Sequence, residues 1–274
     1  MRTFILHIVI LILVPFTLKG QDVYSDTEAE LEKLFSRLAS TSADSDRIRV
    51  NDSIRSAISA YASTEQVFAH TFSTLRYLGQ VTSTDTLLKI ISWNLNLENY
   101  KGKYFSYFIR KGNDAGQNRV INLEADYNVN KIDTDTTLTA SQWYGALYYA
   151  VRPVLSEGSR RWIVLGLDYG NPAVTRKIID VLSFDDNDAL LFGRKWFENP
   201  SGVRYRAVFE YASSGMMTLR FNSDSSIVFD HLVQIPSLTS NNKVYYGPDY
   251  SYDAYVFENG TWKFKLNVDA RNLE

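Results

Sequence analysis

Two histidines outside the first twenty residues, His70 and His231, and a complete lack of cysteine limit the chemistry open to this chain. Cysteine nucleophiles and thiolate metal sites are excluded, and three-histidine zinc cannot be built within one such chain. A Ser-His-Asp arrangement would have to use one of these two histidines. His231 stands in Phe229-Asp230-His231-Leu232, at the end of an apolar run that reads as a strand. Its functional reading is a general base or a ligand. Asp230 is adjacent and on a regular strand points to the opposite face, so it cannot simply orient the imidazole. The plainer alternative is a strand end whose polar groups satisfy nearby backbone. His70 falls in a helical stretch and reads as structural.

The second place where residue types suggest chemistry is Tyr245 to Tyr255, where five tyrosines surround Asp249 and Asp253 and Gly247-Pro248-Asp249 marks a turn. Tyrosine rings offer a platform to a sugar or peptide, and carboxylates accept hydroxyl hydrogen bonds. The candidate binding set is therefore Asp230, His231, Tyr246, Asp249, Tyr250 and Asp253. A glycoside hydrolase needs two carboxyl groups at a definite separation in one cleft. Asp168, Asp180, Asp230, Asp249 and Asp253 are the pool from which such a pair would come. The plainer reading is a turn whose tyrosines pack on a sheet and hydrogen-bond through their hydroxyls. Asp185-Asp186-Asn187-Asp188 fails as a calcium loop, because Leu190 and Trp196 occupy the places of the required Gly and Glu. Asn51-Asp52-Ser53 matches the N-glycosylation pattern. No Gly-x-Ser-x-Gly elbow, His-Glu-x-x-His, P-loop or dinucleotide fingerprint occurs, so neither a metal nor a cofactor is expected.

The elements that must position these residues are read from periodicity. Leu31, Leu34, Phe35 and Leu38 repeat at helical spacing behind a Ser25–Glu28 capping-box pattern, and Ile54, Ile58 and Tyr61 form a second stripe. From Leu87 the period falls to two. Runs at 103–110, 119–124, 142–151, 162–167, 175–184, 190–197, 203–211, 217–221, 227–232 and 254–258 read as strands. Asn259-Gly260 between alternating runs predicts a type I′ hairpin. About ten strands at short spacing, with no helix-length gaps, predict a mainly β, antiparallel sandwich or barrel-like domain rather than βαβ units. The expected organisation is a signal peptide over 1–20, a helical segment over 21–80 packed on the sheet, and a β domain over 81–274. If the sheet closes into a barrel, Trp143, Trp162 and Phe209 would line a cavity for an apolar ligand.

The leader is expected from Arg2 followed by the uncharged run Phe4 to Phe16, whose thirteen residues are too few to span a bilayer as a helix. Without residues 1–20 the chain carries 27 basic and 31 acidic side chains, a net charge of −4. That balance argues against nucleic acid as a partner. No later segment is apolar enough for a transmembrane helix. An exported chain without cysteine is stabilised by its core, not by disulfides.

Several fragments together carry a resemblance. They are Ile90-Ile91-Ser92-Trp93-Asn94, Trp143-Tyr144-Gly145-Ala146-Leu147-Tyr148-Tyr149, Leu165-Gly166-Leu167-Asp168 and Arg176-Lys177-Ile178-Ile179-Asp180-Val181-Leu182. Val208-Phe209-Glu210-Tyr211, Val228-Phe229-Asp230-His231-Leu232 and Tyr246-Gly247-Pro248-Asp249 follow in order. Over about residues 70–270 the chain resembles a family of uncharacterised exported proteins of Bacteroidota. The resemblance implies a periplasmic or surface location and carries no activity. The expected function is a binding or structural accessory without catalysis, its partner a ligand or an envelope protein. A carboxylate hydrolase of glycan or cell wall and a β-barrel carrier of an apolar ligand are the alternatives.

Overall fold

The computed structural model describes residues 22–112, 117–236 and 244–270; the leader expected over 1–20 lies outside them. Helical periodicity at the N-terminus produces α1 (Asp22–Ser40) and α2 (Asp44–Ala62), whose buried stripes include Leu31, Phe35 and Leu38 on one and Ile54, Ile58 and Tyr61 on the other. Ser25 lies inside α1 rather than at its start. Glu28 takes its carboxylate to the 73–74 turn, where Oε1 accepts from the Thr74 amide at 2.6 Å and hydroxyl at 2.9 Å. Beyond α2, the segment expected to be helical to residue 80 contains a single 3-10 turn, Glu65–Phe68, followed by irregular chain that buries Phe72, Leu75 and Leu78.

The β region forms three sheets. The helix-side sheet runs in order β1 (Gly79–Thr82), β2 (Leu88–Asn96), β3 (Gly102–Arg110) and β4 (Arg119–Asp126). The middle sheet contains β5 (Leu138–Thr139), β6 (Leu147–Ser156), β7 (Ser159–Asp168), β8 (Val174–Phe184) and β9 (Leu190–Phe192), ordered β5-β9-β8-β7-β6. The outer sheet takes β10 (Phe197–Asn199), β11 (Gly202–Arg204), β13 (Leu219–Ser223), β14 (Ser226–Gln234), β15 (Tyr246–Glu258) and β16 (Thr261–Lys265) in order β11-β10-β16-β15-β14-β13. Strand β12 (Ala207–Ala212) lies along the first half of β8, and β9 along its end. Pairing is antiparallel except for Phe197↔Trp262 and Glu198↔Lys263, where β10 meets β16 in parallel.

Side-chain alternation decides the stacking. On β2 and β3, Ile91, Trp93, Leu95, Phe105, Tyr107 and Ile109 face the helices, and Leu88, Ile90, Tyr104 and Phe108 face the middle sheet. On β7 and β8, Trp162, Val164, Ile178 and Leu182 return that contact, whereas Ile163, Leu165, Ile179 and Val181 meet Phe229, Tyr255 and Trp262 of the outer sheet. The result is four layers, one helical and three of sheet, with three cores between them. The run Trp162 to Leu167, apolar at successive positions and so on both faces, is a strand of the middle sheet, which is covered on both sides. The sheets do not close into a barrel. Trp143 and Trp162 lie in the core between the first two sheets, and Phe209 packs in the core beyond the middle one, so they do not line a common cavity.

Three strands predicted as continuous are broken. The run at 142–151 begins as a 3-10 turn, Ala140–Gln142, and reaches strand geometry only at Leu147, after Gly145 at φ +81°. The run at 190–197 divides at Gly193, φ +90°, into a strand of the middle sheet and one of the outer sheet. The alternating run at 203–211 divides at Tyr205-Arg206 in the same way. The Asn259-Gly260 turn has positive φ at both residues, 53° and 84°, as a type I′ hairpin requires. At 185–188 the chain forms a turn in which Asp185 accepts from the amides of Asn187 and Ala189.

Two polar ties bind the helices to the sheet. Trp93 Nε1 donates to Asn51 Oδ1 at 2.8 Å, which buries Asn51 despite its place in a glycosylation pattern. Lys89 is fully buried and donates to Tyr61 Oη at 3.1 Å, to the Val67 carbonyl at 2.8 Å and to the His70 carbonyl. No carboxylate pairs with it among the described residues, and burial lowers its pKa to about 8.

Candidate functional site

The aspartates proposed as a hydrolytic pool separate into distinct environments. Asp168 ends β7 and is buried. Its Oδ1 accepts from Tyr104 Oη at 3.0 Å and the Gly170 amide at 2.9 Å, and its Oδ2 from Arg176 Nη1 at 2.9 Å. Arg176 Nε reaches Glu210 at 2.9 Å. Asp180, one strand away, is wholly buried. Its Oδ2 accepts from Tyr144 Oη and Arg206 Nε, both at 2.9 Å, and its Oδ1 from the Val181 amide at 2.7 Å. Burial pushes the Asp180 carboxyl up and the Arg206 guanidinium opposes it. The same two arginines hold the β4–β5 connection. Arg176 donates to the carbonyls of Asn128 and Val129, and Arg206 to those of Asp133, Thr136 and Phe192. Carboxylates so engaged are structural: they keep buried guanidinium groups paired, and those groups clamp a loop.

The strand-end set behaves differently. Asp230 Oδ2 accepts from the Thr218 amide at 2.8 Å, across the edge of the outer sheet. His231 occupies a break in the β14–β15 register, between Asp230↔Tyr252 and Leu232↔Pro248. Its Nδ1 lies 2.7 Å from Asp253 Oδ2, and Asp253 Oδ1 accepts from the Asn267 amide at 3.1 Å. The hydrogen bond to Asp253 raises the His231 pKa. Asp249 is exposed and accepts from both the amide and the hydroxyl of Ser251, which lowers its pKa. Tyr250 is 96% exposed at φ +71°, and Tyr246 is also exposed. The structure therefore brings His231, Asp253 and Asp249 together and leaves Asp230 on another partner. A carboxylate on Nδ1 orients an imidazole for proton transfer at Nε2, but the Ser251 hydroxyl donates to Asp249 Oδ1 at 2.7 Å rather than to the imidazole. Among the described residues no group of three or more His, Asp or Glu side chains could hold a metal ion.

A third location was not legible in advance. Where the helical layer ends against β1, β2, β6 and β7, a cleft of about 440 Å³ opens. Its walls include Phe35 and Leu38 of α1, Tyr77, Asn94, Asn96 and Tyr169. Tyr77 is 69% exposed and Tyr169 39% exposed. Tyr169 Oη donates to Asn94 Oδ1 at 3.3 Å, and Asn94 Nδ2 donates to Asn96 Oδ1 at 3.0 Å and to Tyr127 Oη at 2.6 Å. This chain fixes the amide orientations. The cleft also holds Arg47 and Arg76. Arg47 is tied to the carbonyls of Thr41 and Asn96, while the Arg76 side chain has no hydrogen-bond or ion-pair partner among the described residues. A second groove sharing Asn96 and Tyr169 continues past Tyr100, Lys101 and Tyr127.

Strand periodicity gave no signal for this cleft. The segments 90–94, 143–149 and 165–168 place Asn94, Tyr149 and Leu167 on its wall. Each had looked like strand core, because period-two alternation cannot distinguish a face covered by another sheet from one that ends at an opening. No helix among the described residues is long and apolar enough to cross a membrane. No family model, curated protein or solved structure matches this chain.

Proposed function

We propose that the chain is an exported, non-catalytic binding protein of the kind its resemblance to the Bacteroidota family suggests, and that it holds a small polar ligand in the cleft beside Tyr77 and Tyr169. The observation that carries this reading is the combination of exposed tyrosine rings with a fixed row of amides on rigid strands. Ligand sites are concave, largely apolar and marked by a few oriented polar groups. Aromatic faces with neighbouring amide donors and acceptors suit the alternating apolar and hydroxyl surfaces of a sugar. Supporting it from the other side, Asp168 and Asp180 are committed to arginine clamps. The expected result is saturable binding of oligosaccharides to the mature chain in calorimetric titration, without turnover, and at least roughly tenfold weaker binding in Tyr169→Ala. Undiminished affinity in that variant removes the cleft from the reading.

One observation favours a second reading, a hydrolase. His231 and Asp253 stand 2.7 Å apart with the imidazole part-exposed, the geometry of an oriented general base. Hydrolysis of a glycan or cell-wall substrate that His231→Asn and Asp253→Asn both abolish would establish it in place of the first.

A further inference from the structure

The charge of the cleft says more about its ligand than its shape does. Outside residues 1–20 the chain is net acidic, with 27 basic and 31 acidic side chains. Yet the cleft wall contains Arg47 and Arg76 and no Asp or Glu, and the groove continuing past Tyr169 adds Lys101 and again no carboxylate; the one carboxylate beside Arg76 is Glu32, in the groove on its other side, and the two form no ion pair among the described residues. Arg47 is anchored by two carbonyls, at 2.8 Å each, so its charge is held in place at the rim. Arg76 is unpaired among the described residues. Most other surface arginines here have a carboxylate: Arg49 with Asp46, Arg55 with Glu124, Arg152 with Asp224, Arg194 with Glu157 and Arg204 with Asp135. A local cationic field in a concave, low-dielectric setting attracts and orients an anion.

Resting on the binding reading above, we infer that the ligand is a carboxylate-bearing oligosaccharide, its rings against Tyr77 and Tyr169 and its acid group at Arg76. Guanidinium forks match carboxylates in geometry as well as charge. The Asn96 amide nitrogen, with no acceptor among the described residues, is left to meet a ring hydroxyl. An acidic peptide fits less well. Peptides that add to a sheet bond through the backbone of an open strand edge, whereas this cleft presents side chains, the Tyr77 and Tyr169 rings and the Asn94 and Asn96 amides.

The test is a pair of ligands differing only in charge. The mature chain is titrated calorimetrically with tetragalacturonate and with its fully methyl-esterified form. The acid is expected to bind roughly tenfold or more tighter. That preference should vanish in Arg76→Gln and at about 0.5 M salt, where exposed charges are screened. Tyr77→Ala should weaken both ligands alike. Arg76 is exposed, and an unchanged circular dichroism spectrum and melting temperature exclude misfolding of its variant. Equal or tighter binding of the neutral ester overturns the anionic assignment and leaves the binding reading standing. If neither galacturonide binds but poly-glutamate does, with the same dependence on Arg76, the saccharide assignment falls. If neither these nor a panel of neutral oligosaccharides binds, the binding reading falls with it.

Discussion

At the scale of single residues, most of the buried ionisable groups are parts of the framework. Arg206 and Asp180 are both at 0% side-chain exposure. Removing one partner leaves a buried charge without compensation, which costs about 3–5 kcal/mol. Arg206→Leu should lose stability on that scale in urea unfolding, and a loss below about 1 kcal/mol would mean that the clamp is dispensable. His231 makes a pH-dependent contribution. Its folded pKa is raised by Asp253, so the stabilisation is fully present below the unfolded value, about 6.5, and fades as pH rises through the folded one. The stability difference between wild type and His231→Asn should be larger at pH 5 than at pH 9. An imidazole NMR titration should place the folded pKa above that of a free histidine. A difference independent of pH would show that the Asp253 contact adds nothing to the charged form.

At the scale of elements, glycines at positive φ decide where strands stop, and the cost of replacing them depends on what lies nearby. Gly260, φ +84°, has open space around its missing Cβ, so Gly260→Ala should cost only the left-handed backbone penalty, about 1–2 kcal/mol. Gly193, φ +90°, would place a Cβ against Arg206 Nη2 and 3.2 Å from the Thr136 carbonyl. Gly193→Ala should therefore be clearly more destabilising than Gly260→Ala in the same unfolding assay. Equal losses would mean that the Arg206 clamp yields without cost. The two glycines were equally visible in the sequence. Asn259-Gly260 announced a hairpin because its neighbours alternate on both sides. Gly193 falls inside the run at 190–197 that reads as one strand, and what it makes room for, the buried guanidinium of Arg206, is remote in the chain.

At the scale of the whole molecule, the helical layer meets the sheets partly through Lys89, a buried ammonium among carbonyls and a tyrosine hydroxyl. Its folded pKa of about 8 lies below the unfolded value of about 10.4. Between these values the unfolded chain binds more protons than the folded one, so this group makes stability rise with pH across that interval, by up to about 1.4 kcal/mol per pH unit. Buried tyrosines, with hydroxyls raised, work in the opposite direction above about pH 10. Urea unfolding between pH 8 and pH 10 isolates the lysine: the upward slope should be present in wild type and absent in Lys89→Met. Parallel slopes in the two proteins would show that the ammonium keeps its ordinary pKa.

The amino-acid sequence by itself determined the class of structure. Helical stripes before residue 80, period-two alternation after it, and the Asn259-Gly260 turn are local signals, and local backbone sterics and side-chain period suffice to read them. It also showed that strands such as 162–167 are covered on both faces, because both faces are apolar. Which sheet each strand joins, where 190–197 and 203–211 cross from one sheet to another, and the parallel pairing of β10 with β16 were decided only in three dimensions, since strand partners are chosen by packing between segments far apart in the chain. The same holds for the chemistry. Asp168 and Asp180 looked like acids available for catalysis until the fold supplied Arg176 and Arg206. Arg76, Tyr77, Asn96 and Tyr169 had no shared signature until four elements ended around one opening. Charge and aromaticity are properties of residues, but pairing, burial and concavity are properties of their arrangement, and those last three separate a clamp from a binding site.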